Sequence, residues 1–155
     1  MEFVAAGYSI LVVVLYAAVS GLWVDSSSDW YNSLKRPFWQ PPNFVFGLIW
    51  PYNFFVLALA GVQVSLNSEP RVAWLWLIAL TVSVIFASAW SWDFYKTKKL
   101  LRASIWLSLA ALTTIGLLIS ISTIYPAMFW WLLPYQIWLI IAASLSAGYA
   151  FLNSN

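Results

Sequence analysis

Charge is missing from four long stretches of this chain, and that pattern of gaps constrains the fold more than any other feature. Residues 3–24, 44–66 and 72–92 hold no Asp, Glu, Lys or Arg, and neither does any residue from 103 to the end. The first three gaps are 22, 23 and 21 residues long. A bilayer core about 30 Å thick needs about 20 apolar helical residues, so each gap reads as one spanning helix. The last gap, 53 residues, is too long for one. Tyr125-Pro126 divides it, because proline cannot continue a helix and biases its predecessor away from one. The expectation is an all-α integral membrane protein, a bundle of five transmembrane helices near 3–24, 44–66, 72–92, 103–124 and 127–152. Transmembrane β-strands would show segments of about 10 residues with alternating polarity, a pattern this sequence lacks.

Composition points the same way. Hydrophobic residues make up 63% and charged residues 8%, against about 25% charged in an ordinary soluble domain. A 155-residue globule exposes too much of its surface to hide that much apolar material from water. The first span has a cleavage-like Ala18-Val19-Ser20, yet Glu2 and no Lys or Arg precedes it, and its apolar stretch exceeds that of a signal peptide. It therefore reads as retained. There is no internal repeat, and an odd number of spans argues against two inverted halves. Residues 1–155 read as one domain.

The seven Lys and Arg residues read as topology signals rather than as a nucleic-acid patch. Six of them (Lys35, Arg36, Lys96, Lys98, Lys99 and Arg102) fall on one side of the five spans, and only Arg71 falls on the other. That split predicts an N-terminus outside and a C-terminus in the cytoplasm.

Several kinds of chemistry are absent. With no Cys and no His, the chain offers no thiol nucleophile, no Cys/His zinc site and no Ser–His pair. A haem iron would find only Met and Tyr, and no metal ligand set is expected. Pumps and ion-coupled transporters place ionisable residues within their spans, and these spans hold none. Asp93, beside Lys96 and Lys98, is expected to be a solvated surface charge. A ligand for such a protein should be apolar, flat and recognised without a metal.

Residues 25–43 read DSSSDWYNSLKRPFWQPPN. A solvated connector should be polar. This one carries Trp30, Tyr31, Leu34, Phe38 and Trp39, stiffened by Pro37, Pro41 and Pro42, so little helix or sheet is open to it. It reads as a lid over a bundle cavity on the cytoplasmic side. Trp50 and Phe54 lie a turn apart on the inner half of the second span. Ser83, Ala87 and Trp90 share a face of the third, and Pro134, Trp138, Ala142 and Ser146 repeat at four in the fifth. Large aromatics beside small residues can bound a flat slot or simply pack a core, and spacing leaves both readings open. The small-residue faces Ala17/Gly21, Gly61/Ser65 and Ser144/Gly148 are the one pointer to a homodimer.

Residues 30–50, WYNSLKRPFWQPPNFVFGLIW, resemble the W-Y-x-x-L-x-K-P-x-W-x-P-P-x-x-x-F-x-x-x-W signature of the translocator protein family, known also as TspO/MBR, the tryptophan-rich sensory proteins or the peripheral-type benzodiazepine receptors. Arg36 stands at the family's Lys. Residues 133–145, LPYQIWLIIAASL, resemble the family's fifth-helix pattern. The resemblance implies a five-helix bundle with a pocket beneath the first loop. It implies ligands such as protoporphyrin IX, haem and benzodiazepine-type compounds, with no cofactor required. Carried over by position, the ligand-binding residues are Tyr31, Trp39, Pro41, Trp50, Phe54, Ala87, Trp90, Trp138 and Ala142. In bacterial members the tryptophans matching Trp50 and Trp138 are linked to light- and oxygen-dependent porphyrin breakdown, which makes these two the catalytic candidates.

The chain departs from the family pattern twice. Ala87 stands where the family has an Asn that hydrogen-bonds ligands. Tyr149 is followed by no Lys or Arg, so the family's cholesterol motif is incomplete and a cholesterol partner is not implied. Three readings of function follow: a tetrapyrrole-binding sensor or carrier, an enzyme degrading protoporphyrin IX, and a structural or regulatory membrane subunit. Trp50 and Trp138 serve the first two equally.

Overall fold

In hydrocarbon a span must pair its own backbone groups, and the helix does so locally. The structure, a computed structural model, describes residues 1–154; Asn155, the last residue of the tail expected in the cytoplasm, lies outside the described residues. The helices are α1 (Glu2–Trp23), α2 (Asp29–Ser33), α3 (Asn43–Asn67), α4 (Pro70–Ser91), α5 (Leu100–Ile124) and α6 (Pro126–Leu152). Among the described residues, all of these but the short α2 are long and apolar enough to cross a membrane, with α4 prolonged by a π-helical turn, Trp92–Lys96. Proline sets two of the starts. Pro70 and Pro126 open α4 and α6, where a missing N–H leaves nothing unpaired, and α5 stops one residue before Tyr125. Pro51 and Pro134 lie inside α3 and α6 without ending them, as neighbouring helices in a membrane allow.

The spanning helices close into a ring in the order α1, α3, α6, α5, α4. Leu57, Ala60 and Val64 of α3, Leu77 of α4, Leu107 and Ala110 of α5 and Leu139 of α6 are fully buried at its centre. Leu48, Phe55, Leu112 and Ile119 point outward and stay exposed, as helices that are apolar all round do when lipid surrounds them. Helices α1 and α3 approach closely, and a Cβ on Gly61 would overlap the Ser9 side chain.

Two expectations need correcting. The first is the loop 93–102 with a solvated Asp93. The carboxylate is buried, 2% exposed. It accepts hydrogen bonds from Arg102 Nε and Nη2, from Thr97 Oγ1 at 2.8 Å and from Trp106 Nε1 at 2.9 Å. A carboxylate this well supplied with donors need not face water. The connector between α4 and α5 shrinks to residues 97–99, turned by Lys98 in the left-handed region at φ 60°. The second concerns the lid, which does contain a helix. Its prolines begin only at 37, and ahead of them Ser28 caps α2 by accepting the Tyr31 N–H at 3.3 Å.

Candidate functional site

Beneath the lid the ring opens into a cavity of about 440 Å³, within the range that takes a cofactor-sized ligand. The end of α1, the lid, α3, α4 with its π-helical turn, and α6 all contribute to its wall.

One end of the wall is aromatic and apolar. Trp50 of α3 meets Trp138 of α6 edge-on, with ring centres 6.5 Å apart at 86°. Phe46, a turn before Trp50, packs its edge against Trp138 at 5.2 Å. Trp50 is backed by Phe54, stacked at 5.8 Å, and by the buried Tyr16 of α1. Ala142 and Leu145 complete this end. Trp90 is held on the opposite side by its Nε1–H, which donates to Ser146 Oγ at 3.2 Å. The Trp138 Nε1–H is buried on the wall with no hydrogen-bond partner among the described residues.

The end beneath the lid is polar. Tyr149 of α6 donates its hydroxyl hydrogen to Tyr31 Oη at 3.2 Å or to Gln40 Oε1. Gln40 Nε2 in turn reaches Tyr31 Oη at 3.5 Å. The Arg36 guanidinium stands over the Tyr31 ring, 5.6 Å from its centre. Phe94 and Tyr95 of the π-helical turn close this end with aromatic rings, and Asn43 adds an amide. The cavity is thus amphiphilic, with the Trp50–Trp138 pair on one part of the wall and phenols and amides beneath the lid.

Of the expected ligand-binding residues, the structure brings Tyr31, Trp50, Trp90, Trp138 and Ala142 together on this wall. Four stand elsewhere. Trp39 lies along α6, its Nε1–H donating to Ser144 Oγ at 3.2 Å and its ring seated over Gly148. Pro41 shapes the lid without reaching the wall, Phe54 supports Trp50 from behind, and Ala87 is buried in the core of α4. Trp50 and Trp138, the two catalytic candidates, both line the cavity. Sequence reasoning missed Phe46, Gln40, Phe94, Tyr95 and Tyr149. Two of them carried a signal: Tyr149 continues the face of Trp138, Ala142 and Ser146, and Phe46 sits four residues before Trp50. Phe94 and Tyr95 were hidden by reading their segment as a loop.

A five-helix membrane bundle with a lidded aromatic cavity is the class that fold and site define. The TspO/MBR family model matches residues 9–152, and the chain belongs to that family. It is an integral membrane protein. Over 136 residues it is 33% identical to the uncharacterised membrane protein YtaB of Bacillus subtilis, covering 86% of this chain and 88% of that one. It is 29% identical over 140 residues to the tryptophan-rich protein TspO of Bacillus cereus, covering 86% and 91% respectively. It is also 29% identical over 132 residues to the tryptophan-rich sensory protein of Cereibacter sphaeroides, covering 82% and 78%.

Proposed function

We propose that the cavity binds a tetrapyrrole, protoporphyrin IX or haem, and that the protein acts as a membrane sensor or carrier for it. The observation that carries this reading is the amphiphilic wall. A porphyrin is a flat apolar macrocycle with carboxylates along one edge. The Trp50–Trp138 pair offers aromatic surface to the ring, and Tyr31, Gln40 and Tyr149 offer polar partners to the carboxylate edge at the mouth. Arg36 sits beside that edge as a counter-charge. Similarity to a tryptophan-rich sensory protein supports the sensory part of the proposal. The basic residues Lys35, Arg36, Lys96, Lys98, Lys99 and Arg102 gather in the lid and around the α4–α5 connection. We therefore orient the lid and the C-terminus toward the cytoplasm, with the N-terminus outside.

A second reading, degradation of bound porphyrin in light and air, is favoured by one feature. Two oxidisable indoles share the wall where the macrocycle would lie.

The test is titration of the detergent-solubilised protein with protoporphyrin IX, followed by tryptophan quenching and a shift of the porphyrin's Soret band. Saturable binding that weakens in Trp50→Ala is the expected result. A linear, non-saturating response, equal to that of an unrelated membrane protein, would remove the tetrapyrrole reading.

A further inference from the structure

Asn153 sits just past the end of α6, outside the cavity wall, and makes an unusual pair of contacts. Its Oδ1 accepts the backbone N–H of Lys35 at 2.9 Å, and its Nδ2 donates to the carbonyl of the same residue at 3.1 Å. One side-chain amide thus satisfies both backbone groups of one lid residue, as a neighbouring strand would. The amide is held ready for this, because Nδ2 also donates to Tyr149 O at 2.9 Å. Lys35 lies between the end of α2 and Pro37. Its backbone has no helix to join, and the residue before Pro37 is biased toward extended geometry. Without Asn153 both groups of Lys35 would turn to water.

The other contacts between lid and α6 lie along the same stretch of helix. Tyr149 reaches Gln40, Gly148 leaves room for Pro37 and Trp39, and Ser144 accepts the Trp39 N–H. The lid is also braced internally. Ser28 caps α2, and Arg36 Nη2 donates to Asn32 Oδ1 at 2.9 Å. A braced segment tied along one helix moves as a unit about its attachments.

We propose that Asn153 is the latch of the lid. It is a positioning residue that never touches the ligand, yet its pairing with Lys35 sets how often the cavity opens and hence how fast a ligand is exchanged. In its ligand kinetics this rests on the tetrapyrrole reading; in its effect on the lid it does not.

The experiment therefore has two arms on the full chain in lipid nanodiscs. Amide hydrogen exchange without ligand reads the lid directly. Asn153→Ala should speed exchange across residues 30–42 on the order of tenfold, the worth of losing two modest hydrogen bonds, with α3, α4 and α5 unchanged. Asn153→Asp keeps the acceptor for the Lys35 N–H and loses the donor, so it should fall between. Gly148→Ala leaves Asn153 intact but places a methyl 2.8 Å from Pro37 and 2.9 Å from Trp39, and it should loosen the same segment. In the second arm, stopped-flow mixing with protoporphyrin IX should show association and dissociation both faster in Asn153→Ala, with the dissociation constant changed less than either rate. Lid exchange in Asn153→Ala equal to wild type would overturn the latch, and so would protection lost throughout the bundle, which would make Asn153 a support of the whole fold. If wild-type protein binds no protoporphyrin IX, the tetrapyrrole reading falls and the exchange arm alone decides the latch.

Discussion

Trp138 is the residue on which binding and chemistry can be separated. Its indole faces Phe46 and Trp50 edge-on, and its N–H has no hydrogen-bond partner among the described residues. Phenylalanine keeps an aromatic face but lacks the N–H and is much harder to oxidise. In Trp138→Phe much of the porphyrin affinity should survive, since aromatic contact largely remains. If the protein degrades its ligand, bleaching of the Soret band under light in air should drop toward the protein-free rate. Trp50→Phe should behave likewise, and Trp131→Phe, exposed at the far end of α6, should match wild type. Equal bleaching in wild type, in both variants and without protein would leave a binder and no enzyme. Asp93 makes the opposite kind of residue-scale case, a charge kept for structure. Asp93→Leu leaves the partly buried Trp106 N–H without its acceptor, a loss of about 1–3 kcal/mol. It also frees Thr97 and Arg102, so thermal melting should fall measurably. An unchanged midpoint would mean that the cluster adds nothing to the fold.

At the scale of elements, the packing of α1 on α3 turns on one glycine. Gly61 has room only for a hydrogen, because Ser9 of α1 fills the space a Cβ would need. The Ser9 hydroxyl also donates to Ala58 O at 3.4 Å, tying the two helices together. Small residues let helix backbones approach in this way where lipid offers no hydrophobic drive to associate. Gly61→Ala should destabilise the bundle by about 1–3 kcal/mol through overpacking, read as a lower thermal midpoint in detergent. Ser9→Gly on the same chain should restore much of the loss, because it vacates the contested volume. A Gly61→Ala protein as stable as wild type would show the contact to be soft. Of the expected small-residue faces, Gly61 and Gly148 are thus used inside the molecule, against α1 and against the lid. Gly21 has open space around it.

For the whole molecule the testable matter is orientation. The lid, the α4–α5 connection and the end of α6 lie on one side of the bundle, and that side carries six of the seven basic residues. A reporter fused after the last residue should be active only in its cytoplasmic form. An active periplasmic reporter at that place would reverse the bundle and put the mouth of the cavity outside.

Much of the architecture was legible without coordinates because it follows from solvent physics acting on short windows. Uncharged runs of bilayer length specify spans, Pro126 divides the last of them, and the motif at 30–50 marks the lid and Trp50. The pairing of Trp50 with Trp138 was implied by the family resemblance, whereas helical spacing alone left their roles open. Tertiary structure decided what depends on which donors meet which acceptors. Asp93 reads as a surface charge until Arg102, Thr97 and Trp106 are seen around it, and it sits in a π-helical turn, residues 92–96, that carries Phe94 and Tyr95 to the cavity. Trp39 fits a pocket motif, yet Gly148 and Ser144 draw it onto the flank of α6, and Gln40 takes the place at the mouth. Periodicity says which residues share a face. Only the packed bundle says which face meets a partner able to satisfy it, because hydrogen bonds and close contacts join residues more than a hundred positions apart, as Lys35 and Asn153 are.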